Sequence, residues 1–180
     1  MSQKKLIRKK FFLKRKKKYF GIKRNFFSPL IPLIKKLKKK NISIYYPNSY
    51  EVNVLQILEI KFFKKLNFLL PGIDENNNMN FYFWKKSDVL KVNKYGILEP
   101  LKNIKSIPNI VLVPLLAFDK QKNRLGYGKG FYDKYLSKYK KIYKTIITVG
   151  VAFSFQKYNN LPINNKDFKL DYIITEKGIF

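Results

Sequence analysis

The stretch richest in chemistry is Arg124-Leu125-Gly126-Tyr127-Gly128-Lys129-Gly130, followed by Phe131-Tyr132-Asp133. Three glycines at alternate positions let backbone N–H groups converge on one point, and a helix start just after them adds partial positive charge. Such a loop binds phosphate, and Arg124 and Lys129 add fixed cations. The spacing matches neither familiar nucleotide-loop pattern: Gly130, not Ser or Thr, follows Lys129, and the glycines do not run G-x-G-x-x-G. On spacing alone, a tight turn with solvated basic residues stays open. The set of Arg, three Gly, Lys and a following Tyr-Asp favours a polyanion. Asp133, just past the loop, is placed to meet a divalent cation, because Mg²⁺ with a nucleotide takes one or two carboxylates plus phosphate oxygens.

These residues need a strand before them and a helix after. Val111–Val113 has strand composition and stops at Pro114. Tyr132, Tyr135, Leu136 and Tyr139 recur at i, i+3, i+4 and i+7, which predicts a helix. Upstream, residues 4 to 20 mix Lys and Arg with helix-spaced apolar residues, and Gly21 ends that helix. Most of its lysines read as a solvated face, with Lys4 and Arg8 sharing one side four residues apart. Ser28-Pro29 predicts an N-cap and a short helix to about Lys39, with Lys38-Lys39-Lys40 at its solvated end. Ile42–Tyr46 alternates as a strand, and Glu51 opens a predicted helix with core face Leu55, Leu58, Phe62 and Leu66. Asn67–Leu70 is a strand expected to end at Pro71. Met79–Trp84 is another, whose Phe81, Phe83 and Trp84 suit either a stacking surface or, as favoured, the core. Ile146–Val151 and residues 171–176 complete the strands. Alternation of strands and helices, without repeats, predicts one α/β domain over 1–180: a three-layer sandwich with a mostly parallel, Rossmann-like central sheet. Ligands in such folds sit beyond the C-terminal strand ends, where the glycine loop lies.

Composition narrows the chemistry. The chain has neither His nor Cys. That removes the Ser-His-Asp triad, the Cys-His pair, disulfides and the usual zinc ligands. Catalysis must rest on Lys, Arg, Tyr, carboxylates, amides or a bound cation, a toolkit that suits phosphoryl transfer. The net charge is +28. Nucleic-acid binding is one reading, with Phe and Tyr as stacking platforms. A compositional bias toward Lys, Ile and Asn is the favoured one, because the lysines are spread along the chain. No run reaches the roughly 18 apolar residues of a membrane span, and no signal or transit peptide is apparent. A cytoplasmic protein is expected.

The string Pro114-Leu115-Leu116-Ala117-Phe118-Asp119 … Asn123-Arg124-Leu125-Gly126-Tyr127-Gly128-Lys129-Gly130-Phe131-Tyr132-Asp133 resembles the signature of the 5-formyltetrahydrofolate cyclo-ligase family, also called methenyltetrahydrofolate synthetases. Tyr95-Gly96-Ile97-Leu98-Glu99-Pro100, Val149-Gly150-Val151-Ala152-Phe153 and Lys166-Asp167-Phe168-Lys169-Leu170-Asp171 follow in the family's order, so the resemblance covers nearly the whole chain. It implies the same fold class. It also implies a reaction: ATP and 5-formyltetrahydrofolate give 5,10-methenyltetrahydrofolate, ADP and phosphate, through a phosphorylated formyl (iminophosphate) intermediate. By resemblance, Lys4 and Arg8 contact ATP phosphates, with a register shift to Lys5 or Lys9 open, and Arg124 through Tyr132 bind ATP. Lys129 and Arg124 act in catalysis. Tyr46 and Glu51, with Tyr127, Gly128, Lys129, Gly130 and Phe131, border the folate, and Asp133 and Asp167 hold Mg²⁺. Two departures stand out: Lys166 occupies a family His position, and Phe131 replaces a tyrosine. A weakened, folate-binding member is therefore an alternative to the active enzyme. The partners implied are the folate and ATP, with no membrane, no nucleic acid and a monomeric chain.

Overall fold

The computed structural model describes residues 2–37, 40–101 and 104–180. Helix α1 (Gln3–Lys18) leads through a 3-10 segment (Arg24–Leu30) to α2 (Ile31–Lys35) and strand β1 (Asn41–Ser43). Two further 3-10 segments, Val54–Glu59 and Lys61–Lys65, precede β2 (Asn67–Ile73) and β3 (Met79–Phe83). A small hairpin, β4 (Leu90–Val92) and β5 (Leu98–Pro100), leads to β6 (Ile110–Pro114). A second hairpin, β7 (Ala117–Phe118) and β8 (Arg124–Leu125), is followed by α3 (Phe131–Ile142). Strands β9 (Ile147–Val151), β10 (Tyr172–Thr175) and β11 (Gly178–Ile179) end the chain.

Seven strands form one sheet in the order β11-β10-β9-β6-β1-β2-β3. Strands β2, β1, β6, β9 and β10 are parallel, and the two outer strands are antiparallel. The central strand Ile110-Val111-Leu112-Val113 is wholly buried, as expected of a parallel strand covered on both faces. Its side chains alternate: Leu112 joins the core containing Phe27, Ile34, Val54 and Ile57, while Val111 and Val113 join the one containing Tyr135 and Leu136. These two cores and the sheet make the expected three layers. A third cluster packs Ile7 and Phe11 of α1 on Leu116, Ala117 and Leu125 of the second hairpin.

Strand order reverses between β1 and β6, because the chain winds one way to β2 and the other way through β9 and β10. At such a switch point two neighbouring connections leave in opposite directions and open a crevice at the C-terminal strand ends. The site lies in that crevice.

Local structure departs from expectation in several places. Residues 54–65 form two 3-10 segments rather than one α-helix, and Glu51 precedes them. The buried residues are Val54, Ile57, Phe63 and Leu66, while Leu55, Leu58 and Phe62 are half-buried. The tighter 3-10 winding, nearer three residues per turn, shifts the buried register away from the α-helical one. Ser28 caps nothing: it sits inside a 3-10 segment with Pro29, and Pro32, not Pro29, takes the first-turn position of α2. Lys38 and Lys39 lie outside the described residues. Strand β2 runs through Pro71 to Ile73. Pro71 is tolerated because β1 pairs only with residues 67–69 and has ended before it. Phe81 and Trp84 are core and Phe83 is exposed.

Candidate active site

A cavity of about 630 Å³ opens at the switch point. Its walls come from α1, the residues after β1, the end of β2, the 93–97 turn, the glycine loop and residues 164–167. The candidate site residues Lys4, Arg8, Tyr46, Glu51, Arg124 through Asp133, and Asp167 all line it, whereas Lys5 and Lys9, the alternative register on α1, do not. Six cationic side chains (Lys4, Arg8, Arg124, Lys129, Lys134, Lys166) share this wall with three carboxylates (Glu51, Asp133, Asp167), so its field favours an anionic ligand.

The glycine loop has the backbone expected of an anion cradle. Gly128 and Gly130 adopt φ of +100° and +71°, and Gly130 is the N-cap of α3, with Asp133 in its first turn. The β7–β8 hairpin, unforeseen from the sequence, carries the chain from β6 to this loop. Asp119 shapes its turn by accepting from Gln121 N, Asn123 N and Asn123 Nδ2. Helix α1 then closes over the loop: Arg8 Nε donates to Gly126 O at 2.9 Å. A side chain at Gly128 would lie 3.3 Å from Arg8 Cζ.

The charged groups are paired before any ligand arrives. Arg124 is buried, and its Nη2 donates to Asp133 Oδ1 at 2.7 Å, an oxygen that also accepts from Phe168 N at 3.1 Å. Lys4 Nζ donates to Asp167 Oδ2, which also accepts from Asn164 N at 2.7 Å. Arg124 is thus less a free fixed cation than the buried half of an ion pair with the partly exposed Asp133. Lys129 differs, its ammonium lying 5.0 Å from the centre of the Tyr95 ring. The Tyr95 ring also packs against Phe131 in a tilted contact with ring centres 5.4 Å apart, so an aromatic contact is kept at position 131 without a hydroxyl there.

Opposite the loop stands Glu51. Tyr127 OH donates to its Oε1, and Asn48 N donates to Oε2 at 2.9 Å. Burial pushes the Glu51 carboxyl upward, while the bonds from Tyr127 and Asn48 and the charge of Arg15 oppose that rise. Burial, then the negative charge of Glu51, raises the Tyr127 hydroxyl well above the usual phenol range. Tyr132 is raised too, by burial first and Glu51 second. Both phenols are therefore neutral donors near pH 7. Tyr132 OH and Arg124 Nε are buried with no hydrogen-bond partner among the described residues. Such groups cost free energy unless a ligand or water meets them.

Sequence reasoning missed Tyr45, Asn93, Tyr95 and Ile97 as cavity wall. It also missed Arg15, buried beneath the cavity. Arg15 had a legible signal: it continues the Lys4, Ile7/Arg8, Phe11 spacing, the inward stripe of α1. Glu99, noticed in its motif, is buried and accepts from Ile73 N at 2.9 Å and Asn93 Nδ2 at 3.2 Å, which fastens the first hairpin to the end of β2.

Among the described residues no group of three or more carboxylate, His or Cys ligands could hold a metal by itself, and no helix is long and apolar enough to cross a membrane.

Comparison with known proteins agrees with this architecture. A family model described as the 5-formyltetrahydrofolate cyclo-ligase family matches residues 2–176. A 5-formyltetrahydrofolate cyclo-ligase of Haemophilus influenzae is 32% identical over 145 residues, covering 77% of this chain and 76% of that protein. The solution structure of a 5,10-methenyltetrahydrofolate synthetase from Aquifex aeolicus superposes with a TM-score of 0.73 at 29% identity, covering 99% of this chain and 92% of that one. A synthetase from Mycoplasma pneumoniae shares the fold, with a TM-score of 0.69 at 24% identity and coverage of 97% and 99%.

Proposed function

Since the chain belongs to the 5-formyltetrahydrofolate cyclo-ligase family, we propose that it converts 5-formyltetrahydrofolate to 5,10-methenyltetrahydrofolate at the expense of Mg-ATP. The observation that carries this reading is the joining, in one 630 Å³ cavity, of a cationic glycine loop to the buried Glu51, whose carboxylate accepts from the hydroxyl of the partly exposed Tyr127. A phosphate cradle and a polar anchor for a flat, hydrogen-bonding ring thereby share one chamber.

The chemistry follows from what an amide resists. The formyl oxygen is a poor leaving group. Transfer of the γ-phosphoryl group to that oxygen releases ADP and makes an iminophosphate. N10 of the folate then attacks the formyl carbon and loses its proton, phosphate departs with the oxygen, and the ring closes. No protein nucleophile is needed, so a chain without His or Cys can do it.

The residues divide this work. The loop amides, Lys129 and Arg124 offset charge on the transferring phosphoryl group. Arg8 and Lys4 bring cations from α1 to the same anion. Glu51, with Tyr127 and Tyr46, orients the folate. Tyr132, a neutral phenol with an unmatched hydroxyl, offers a hydrogen bond to whichever substrate lies against it. Asp133 and Asp167 fit Mg²⁺ held jointly with phosphate: each has one carboxylate oxygen engaged, and Asp133 Oδ2 and Asp167 Oδ1 accept no hydrogen bond among the described residues. Mg²⁺ there supplies a Lewis acid for phosphate oxygens.

The test is direct. Purified protein with 5-formyltetrahydrofolate and Mg-ATP should develop the absorbance of the methenyl product. Folded protein that makes none removes this reading.

A further inference from the structure

The cavities, charged faces and unused buried groups converge on one residue outside the machinery described so far. Arg15 is among the largest fully buried side chains, at 1% exposure. It lies on the inward stripe of α1, and among the described residues it forms no ion pair within contact distance. Its Nη2 donates to Ser49 O at 2.6 Å and its Nη1 to Leu115 O at 3.3 Å, while its Nε has no hydrogen-bond partner among the described residues. Its guanidinium carbon sits 5.5 Å from the centre of the Tyr127 ring. One buried cation thus touches three pieces of the cavity wall: the end of β6, the glycine loop and the turn that presents Glu51.

That turn needs holding. Asn48 to Glu51 closes with Glu51 N donating to Asn48 O at 3.0 Å. Its two central residues, Ser49 and Tyr50, have φ of +50° and +65°. This is the left-handed pair of a type I′ turn, a place normally taken by Gly, Asn or Asp. Two side chains with a Cβ sit there in succession, and such strain persists only where the surroundings over-determine it. The bond from Arg15 to Ser49 O falls in the middle of the strained pair. Glu51 follows directly.

We infer that Arg15 is a positioning residue for the folate half of the reaction: it clamps the Asn48–Glu51 turn and supplies the buried positive charge that keeps the Glu51 carboxylate ionised and aimed into the cavity. This rests on the reading of Glu51 as the folate-orienting group. Other groups face Glu51. Tyr127 OH and Asn48 N bond to it directly. The phenols of Tyr45 and Tyr132 are buried close enough to feel its charge. All of these are neutral donors near pH 7. Of the cations in the same wall, Lys4 pairs with Asp167 and Arg124 with Asp133, and Arg8, Lys129, Lys134 and Lys166 form no ion pair with Glu51 among the described residues, which leaves Arg15 as the full positive charge acting on it. Burial leaves the Glu51 carboxyl raised on balance, and the bonds from Tyr127 and Asn48, then the charge of Arg15, work against that rise.

The experiment follows kcat and KM for each substrate across pH in the whole enzyme, with Arg15→Gln, Arg15→Lys and Glu51→Gln. Loss of the cation should raise the Glu51 pKa. The acid limb of kcat/KM for the folate should then move up by roughly one pH unit in Arg15→Gln, with KM for ATP unchanged. Arg15→Lys keeps the charge but not the fork that reaches two carbonyls. Its limb should stay in place while its folate KM rises several-fold. An unmoved limb in Arg15→Gln overturns the proposal. Should Arg15→Gln fail to fold, Arg15→Lys decides, and an unchanged folate KM there overturns it. Glu51→Gln separates the two readings: it should abolish the limb and raise folate KM. If it does neither, the role given to Glu51 fails, whatever Arg15 does.

Discussion

Replacing Gly128 by Ala isolates the contribution of the glycine-loop backbone. At φ of +100° a residue with a Cβ is outside its allowed regions. The new methyl would also stand 3.3 Å from Arg8 Cζ, 3.5 Å from Nη1 and 3.6 Å from Nε. Arg8 cannot retreat freely, because its Nε holds Gly126 O at 2.9 Å. The strain is about 1–3 kcal/mol. In the free protein the exposed loop relaxes and sheds most of it, so the melting temperature should barely change. Phosphate binding needs the unrelaxed loop, so the same energy should reappear as an affinity loss of roughly 5- to 150-fold for Mg-ATP. Titration calorimetry measures it. Gly21→Ala is the control, because a methyl there meets nothing within 4 Å. If Gly128→Ala binds Mg-ATP within about twofold of wild type while Arg8 and the loop are undisturbed, the loop backbone does not grip the nucleotide and the reasoning fails.

Other perturbations probe separate parts of the molecule. Lys129→Ala should lower kcat by ~10²-fold with little change in stability, since its contact with the Tyr95 ring is worth only about 0.5–1 kcal/mol at an exposed site; wild-type turnover would make it a surface lysine. Gly150→Ala should overpack the core, because the added methyl would approach Ile173 Cδ1 to 2.6 Å and Leu115 Cδ2 and Leu170 Cδ1 to 2.8 Å each. The cost is about 1–3 kcal/mol, and an unchanged thermal melt would reveal slack there. Asp171 is pushed up by partial burial but pulled down more by Lys140, Thr148 N and Thr148 Oγ1, for a net lowering. A lowered carboxyl stabilises the fold above its unfolded pKa and loses that contribution as pH falls through the folded value. Denaturation below about pH 4 should therefore be less steep in Asp171→Asn than in wild type; parallel curves would mean the Lys140–Asp171 pair adds nothing.

Much of this protein can be read one residue at a time. The apolar run at 110–113, the glycines of 126–130 and the tyrosine spacing of α3 are local signals, because sheet burial, positive φ and helical period each act over a few neighbours. They suffice for the fold class and for the glycine-loop half of the cavity. The 54–65 segment misleads because its apolar residues also fit an α-helical stripe, and only packing under the sheet selects the tighter winding. The β7–β8 hairpin is short, and its turn is formed by Asp119 rather than by a glycine dipeptide.

Long-range assembly decided the rest. No spacing rule joins Lys4 to Asp167, Tyr127 to Glu51, or Arg15 to Ser49, since each pair is brought together only by the reversal of strand order between β1 and β6. In the sequence Arg15 is one cation in a lysine-rich helix, whereas in the fold it lies buried under a strained turn. Charge in the sequence specified that an anion would be welcome. Which charges are free, and which already hold one another, is set by burial and distance, and these exist only once the chain has folded.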